Sequence, residues 1–249
     1  MKNYCLLLLI ISFSFNIFSQ NIDSTKMFKG FEMAYHNVPV FQAPKGKFYY
    51  KNSELFYQSF GKNFWNVLEI ETGAWLPPIK ALSGYFQSRI ILPIHKKINF
   101  GVTGSVFGSA YDFPSLKIRD KYEIAAGLSY KSNKSLHAIN ICYDNIIAVN
   151  YITMFKIYGF GFDYTLIKQF TNNVFFISDN KISYATIDFL EPDNFGNRKI
   201  LLLEQNTAVR HFEKKHAFNI GILTYIGYYQ KDKQFKYKLL PYFSYQLIL

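Results

Sequence analysis

Phe243-Ser244-Tyr245-Gln246-Leu247-Ile248-Leu249, the last stretch of the chain, alternates in a way that decides the fold class. Successive side chains of a strand point to opposite faces, so Phe243, Tyr245, Leu247 and Leu249 share one side and Ser244, Gln246 and Ile248 the other. One face is apolar to the final residue. Termini of soluble domains tend to be frayed and solvated. The last strand of a transmembrane β-barrel must instead pair with the first, because lipid tolerates no open sheet edge.

The same dyad recurs upstream. In 97–107, Ile98, Phe100, Val102 and Val106 oppose Lys97, Asn99, Gly101, Thr103 and Ser105. In 121–130, Tyr122, Ile124, Ala126, Leu128 and Tyr130 oppose Lys121, Glu123, Ala125, Gly127 and Ser129, and in 157–166 an aromatic face opposes Gly159, Gly161, Asp163 and Thr165. Leu68 and Ile70 oppose Glu69 and Glu71, and Phe86, Ile90 and Leu92 oppose Gln87 and Arg89. This is the lipid-out, polar-in pattern of a membrane barrel. Further strands are expected over 136–143, 174–185, 200–212, 218–228 and 235–249. Residues 48–60 read as one strand, with Gly61-Lys62-Asn63 as a tight turn after it and a short strand over 31–35 climbing before it. Short gaps (61–63, 95–97, 131–134, 168–173, 213–216) alternate with mostly longer ones (75–84, 108–120, 144–156, 186–199), as periplasmic turns alternate with outer loops. The expectation is an all-β fold, a transmembrane antiparallel barrel of about twelve strands. Ten is the alternative if 136–143 is irregular or the N-terminal pair stays out.

Residues 1–19 read as a secretory signal peptide: a charged start at Lys2, an apolar run from Leu6 to Ile11 extended by Phe13, Phe15 and Ile17, and the small Ser19 at a cleavage position. Residues 20–249 then form the barrel domain. No later run approaches the roughly 18 apolar residues that a membrane helix needs. Cys5 lies within the signal and leaves Cys142, so no internal disulfide is expected. The 249 residues include 26 Phe, 20 Tyr and 2 Trp, a composition rich in strand formers. The net charge of +11 is carried mostly by lysines in short polar gaps such as His95-Lys96-Lys97 and Glu213-Lys214-Lys215-His216. Solvated turns or contact with lipid phosphates account for it, and export argues against nucleic acid as a partner. A soluble periplasmic β-protein holding an apolar ligand would also alternate, with its apolar face turned inward.

The segments Lys45-Gly46-Lys47-Phe48-Tyr49-Tyr50-Lys51-Asn52, Gly73-Ala74-Trp75-Leu76-Pro77 and Pro93-Ile94-His95-Lys96-Lys97-Ile98-Asn99-Phe100-Gly101-Val102, together with a signal ending in Ser19-Gln20, resemble a set of uncharacterised outer-membrane β-barrel proteins of Gram-negative bacteria. The resemblance implies that fold and location, with outer-membrane lipids and the barrel-assembly machinery as partners, and no assigned chemistry.

Function then falls to the lumen. Glu69, Glu71, Arg89, Lys97, Lys121, Glu123, Asp163, Glu204 and Arg210 are expected to line it, with Glu71 paired to Arg89 across neighbouring strands. Charges of both signs serve either as an internal network that fills a narrow barrel or as the lining of a passive channel for small solutes. A lipid-modifying barrel enzyme is the alternative, and Ser135 and His137 are the Ser/His pair that a strand brings onto one face. No third group orients the base, so they read as part of the polar inner face. No cofactor is expected. Asp188, Glu191 and Asp193 cluster in one outer loop but lack the spaced ligand set of a calcium site, and no metal is expected.

Overall fold

The computed structural model describes residues 46–53, 57–65, 67–75, 83–109, 117–149, 154–189, 198–231 and 233–249. The signal peptide and the expected strand at 31–35 lie outside the described residues. Twelve strands form one closed antiparallel barrel: β1 (Phe48–Ser53), β2 (Tyr57–Phe64), β3 (Leu68–Trp75), β4 (Ser83–His95), β5 (Ile98–Ser109), β6 (Lys117–Lys131), β7 (Ser135–Val149), β8 (Met154–Gln169), β9 (Val174–Phe189), β10 (Arg198–Glu213), β11 (His216–Tyr229) and β12 (Gln234–Ile248). Each strand pairs with its sequence neighbours, and β1 closes on β12 with Tyr49 opposite Ile248 and Asn52 opposite Tyr245. The terminal stretch thus does what its alternation implied. It is the closing strand.

Closure carries a stagger. One row of paired residues starts at Tyr49, climbs through Gly61, Glu71, Gln87, Ser105, Glu123, Asp144, Gly159, Ala185, Ile200 and Tyr229, and arrives at Gln234. Tyr49 itself pairs with Ile248, at the other end of the 15-residue β12. Such a shear requires strands tilted by roughly 35–45° to the barrel axis. The connections 65–67, 96–97, 132–134, 170–173 and 214–215 gather at one end, called here the short-turn end. The strand ends that flank 54–56, 76–82, 110–116, 150–153, 190–197 and 230–233 lie at the other, called here the long-loop end.

The distribution of burial identifies the solvent outside. Phe86, Ile90, Leu92, Val102, Val106, Ile124, Leu128, Ile141, Phe160 and Ile220 stand exposed on the outer wall, while Glu69, Glu71, Arg89, Asp163, Lys181 and Arg210 are buried inside. A barrel folded in water would reverse this arrangement. A barrel in lipid requires it, because apolar chains lose nothing against hydrocarbon while an outward Arg or Lys at mid-membrane costs about 2–4 kcal/mol. The chain is a transmembrane barrel, and the soluble alternative with an inward apolar face does not describe it.

Of the boundaries that differ from expectation, two bear on the inner wall. Residues 48–60 are two strands rather than one, since β1 and β2 form a hairpin, and 61–63 continue β2 instead of turning. Gly61 was read as a turn glycine, yet its φ is not positive; it faces inward beside Tyr49, whose ring atoms would lie 2.2 Å from any Cβ placed there. The glycine makes room for an aromatic ring. The turn comes after Phe64, at Trp65, with φ 55°. Twelve strands are therefore reached without the segment at 31–35. The second difference concerns Lys97. Pro93 pairs with Asn99 and His95 with Ile98, so the register shifts between them and Ile94 is bulged out. Proline cannot donate to the ladder, which favours a bulge beside it. The shift leaves Lys96-Lys97 as the turn itself.

Candidate functional site

Inside a barrel, side chains that share a row or a neighbouring row meet across adjacent strands. Three polar groups arise this way. On β1–β4, Glu69 lies directly opposite Arg89, and Arg89 Nη1 donates to Glu69 Oε1 at 2.5 Å. Glu71 lies opposite Gln87 and is held instead by Ser59 Oγ at 2.6 Å and by the Tyr49 hydroxyl at 2.8 Å, which also reaches Glu69 at 3.1 Å. The partner of Arg89 is thus Glu69, not Glu71, because the pair directly across the ladder is closer than the diagonal one. Tyr85 donates its hydroxyl to Gln87 at the edge of this group.

The second group spans β6–β9. Lys121 Nζ stands 3.0 Å from Glu123 Oε2 and 3.8 Å from Asp144 Oδ1, and Lys181 Nζ donates to Asp144 Oδ2 at 2.6 Å. Asp163 is opposite Lys181, and the buried Cys142 thiol points to Asp163 Oδ1 at 4.0 Å. Glu204 is also opposite Lys181, on β10, and is half-buried. The third group lies low on β10–β12, where Arg210 Nε donates to Asn219 Oδ1 at 2.7 Å and Asn219 Nδ2 to Ser244 Oγ at 2.5 Å. Ser244 also accepts from the Tyr242 hydroxyl at 3.0 Å.

Between the second and third groups runs an apolar row. Leu136, Ile167, Ile177, Ala208 and Tyr242 pair in sequence across β7–β12 with Gly221 between the last two. With Phe175, Ala138 and Leu223 they form one buried cluster. The lumen is therefore unequal round its circumference: mostly polar on β1–β6, where Ile91 and Phe107 are single apolar inward residues, and crossed by a continuous apolar band on β7–β12 towards the short-turn end. Towards the other end of the strands Lys236 and Lys238 are exposed and Tyr229 is half-exposed.

Of the nine residues expected in the lumen, Glu69, Glu71, Arg89, Lys121, Glu123, Asp163, Glu204 and Arg210 face inward; Lys97 does not, being exposed in the β4–β5 turn. Tyr49, Ser59, Gln87, Asp144, Lys181, Asn219 and Ser244 join them, although only Gln87 and Ser244 fall on the polar faces marked by the alternation above and none is among the nine. Lys181 was findable, since Asp179, Lys181 and Ser183 alternate with Ile182 and Tyr184. Asp144 was hidden because β7 and β8 extend well into the expected gap at 144–156.

Ser135 and His137 also depart from expectation. Leu136, Ala138 and Asn140 are the buried set of β7, so Ser135 and His137 face outward with Ile139 and Ile141, close to the short-turn end. Ser135 Oγ is 2.8 Å from His137 Nε2, and His137 Nδ1 is 3.0 Å from the Tyr164 hydroxyl. The third partner is a phenol, which lacks the negative charge that a carboxylate offers to an imidazolium. No group of three or more His, Cys, Asp or Glu arranged to hold a metal occurs among the described residues, and Glu191 and Asp193 lie outside them.

No family model and no curated protein matches this chain. Among solved structures the chain is similar to a KdgM porin in complex with disordered oligogalacturonate, at 7% identity and a TM-score of 0.42, over 81% of this chain and 96% of that one. It is likewise similar to a KdgM porin at 6% identity and a TM-score of 0.42, with the same coverage.

Proposed function

We propose that this protein is a non-enzymatic barrel of the Gram-negative outer membrane that works as a narrow passive channel for small polar solutes or ions. In this reading residues 1–19 are the cleaved export signal, the barrel-assembly machinery inserts the domain of 20–249, and the short-turn end faces the periplasm. One observation carries the channel. Gln87 Nε2, Thr103 Oγ1, both amide atoms of Asn140, Gln169 Oε1, Ser183 Oγ, Asn206 Oδ1 and Gln246 Oε1 face the lumen, are buried, and have no hydrogen-bond partner among the described residues. Buried polar atoms left unpaired cost about 1–3 kcal/mol each, and since no water-sized space adjoins them here, that cost favours small shifts of the lining that admit water to it. A barrel that served only as a solid strut gains nothing from such groups. The narrowness follows from Glu69, Arg89 and Arg210, each no more than 5% exposed.

The lining residues, Glu69, Glu71, Arg89, Lys121, Glu123, Asp163, Glu204 and Arg210, would then set ion preference. The paired charges also favour a second reading, a structural or interaction barrel whose interior is a satisfied network and whose outer loops meet other molecules. Single-channel recording in a planar bilayer separates the two. Discrete steps that become more cation-preferring on Arg89→Ala, which leaves Glu69 and Glu71 in excess, are the expected result. Folded, inserted protein that shows no steps overturns the channel and leaves the structural barrel.

A further inference from the structure

The lipid-facing wall is largely apolar; its other polar residues are single positions such as Thr72 and Ser88 or lie close to a strand end as Ser135 and His137 do, and one larger polar cluster stands out. On β9 the outward positions run Phe176, Ser178, Asn180, Ile182, Tyr184; on β10 they run Leu201, Leu203, Gln205, Thr207, Val209. Asn180 pairs with Gln205 and Ser178 with Thr207, so four neutral polar side chains form one patch, extended by Thr224 opposite Gln205 on β11. The patch sits in the interior of two 16-residue strands, with the exposed Ile182, Tyr184, Leu201 and Val209 around it. Since about 9–11 residues of a tilted strand cross the hydrocarbon, it lies at membrane depth and not at a headgroup boundary. On β4–β6 the corresponding wall is Phe86, Ile90, Val102, Val106, Ile124 and Leu128, interrupted only by the single small pair Ser88 and Gly104.

Amides and hydroxyls facing hydrocarbon need partners. Within the chain the Asn180 amide nitrogen reaches Ser178 Oγ at 3.1 Å and the Tyr164 carbonyl at 3.4 Å. That leaves the Asn180 carbonyl oxygen and the Gln205 amide, both on half-buried residues of the outer face, to be satisfied from outside the barrel. We propose that this patch is the interface through which two copies of this chain associate side by side in the membrane. The inference rests on the transmembrane reading and is independent of whether the lumen conducts. The occupant follows from the chemistry of the patch. It carries no charge to recognise a charged partner, whereas each carboxamide is both donor and acceptor, so the surface complements itself. Two barrels inserted in the same direction are related by a two-fold axis along the membrane normal. Because the strands are tilted by roughly 35–45°, an axis through the patch makes β9 and β10 of one copy cross those of the other, so that Ser178, Asn180, Gln205 and Thr207 of one copy meet the same four side chains of the second.

The test uses the full chain produced in a Gram-negative host and extracted from its membranes in detergent. Sedimentation equilibrium in density-matched detergent is expected to give a dimer. N180L/Q205L, which makes the wall apolar without disturbing the lumen, is expected to weaken it by about tenfold or more, given the ~0.6–2 kcal/mol of a polar pair in lipid. Retained heat-modifiable migration on a gel shows that the variant still folds. In a second arm, Gln205→Cys alone is expected to cross-link between copies, while Val102→Cys on the far wall does not. A wild-type monomer, a dimer unaffected by N180L/Q205L, or equal cross-linking through Val102→Cys each overturns the proposal, as does a one-to-one complex with a different protein that contains no second copy.

Discussion

The inner wall of β1–β6 and the inner wall of β7–β12 solve the same packing problem differently. Both line one lumen, and both must fill the space that a tilted twelve-stranded barrel encloses. On β1–β6 the filling is ionic: Glu69, Arg89 and Glu71 lean on Tyr49 and Ser59, and the small Gly61 makes room for the tyrosine ring. On β7–β12 the low filling is hydrocarbon, the row from Leu136 to Tyr242, with polar groups kept above and below it. In the proposed channel, charge lining would set selectivity and apolar packing would obstruct. The two tasks would then be divided between the sides of the lumen, and each could be altered while the other stays in place.

The largest expected effect comes from breaking the ionic side. Arg89→Ala leaves Glu69 buried beside Glu71 without its cation, and removal of one member of a buried pair costs about 3–5 kcal/mol. Guanidinium unfolding in detergent is expected to show that loss, and the double variant Glu69→Leu with Arg89→Met is expected to recover most of it, since an apolar pair of similar volume replaces the ion pair without stranding a charge. If the double variant is as unstable as the single one, the ion pair is not what holds this wall. A smaller effect is expected on the apolar side. Ile177→Ala removes a side chain 2% exposed from the centre of the row, at a cost of about 2–4 kcal/mol. Its conductance consequence has the opposite character to that of Arg89→Ala: a larger step with ion preference unchanged. Equal shifts in ion preference from both variants would erase the division of labour.

How much of this was legible in the sequence differs between the walls as well. The period-2 alternation carried the fold class, the closing strand and the inward set on β3, β4 and β6, because lipid outside and polar groups inside separate the two faces sharply. It did not show which residues meet. Glu71 and Arg89 looked like partners, but the register sets Glu69 opposite Arg89, and a register is a property of two strands together. Gly61 carried a misleading signal, since a glycine needed for clearance and a glycine needed for a turn look alike in one dimension. On β7–β12 the apolar row was invisible for a related reason: Leu136, Ile167, Ile177 and Ala208 are single inward apolar residues on four strands, unremarkable until the rows align. The outward patch of Asn180 and Gln205 was hidden in the same way, split between two weakly alternating stretches.

The smallest expected effect tests the register at the rim of the polar wall. Lys97 and Lys121 both follow the alternation of their neighbours, so a sequence reading treats them alike. The bulge at Ile94 separates them. It ends β4 one residue out of step, which makes Lys97 part of the solvated turn, whereas Lys121 stands inside against Glu123 and Asp144. Lys97→Ala is expected to change stability by no more than about 0.5 kcal/mol, as for an isolated surface substitution, and to leave ion preference untouched. Lys121→Ala is expected to raise cation preference, because Asp144 and Glu123 then share the single ammonium of Lys181. A shift in selectivity from Lys97→Ala as large as that from Lys121→Ala would mean that the bulge is absent in the membrane and that the β4–β5 register runs unbroken to the turn.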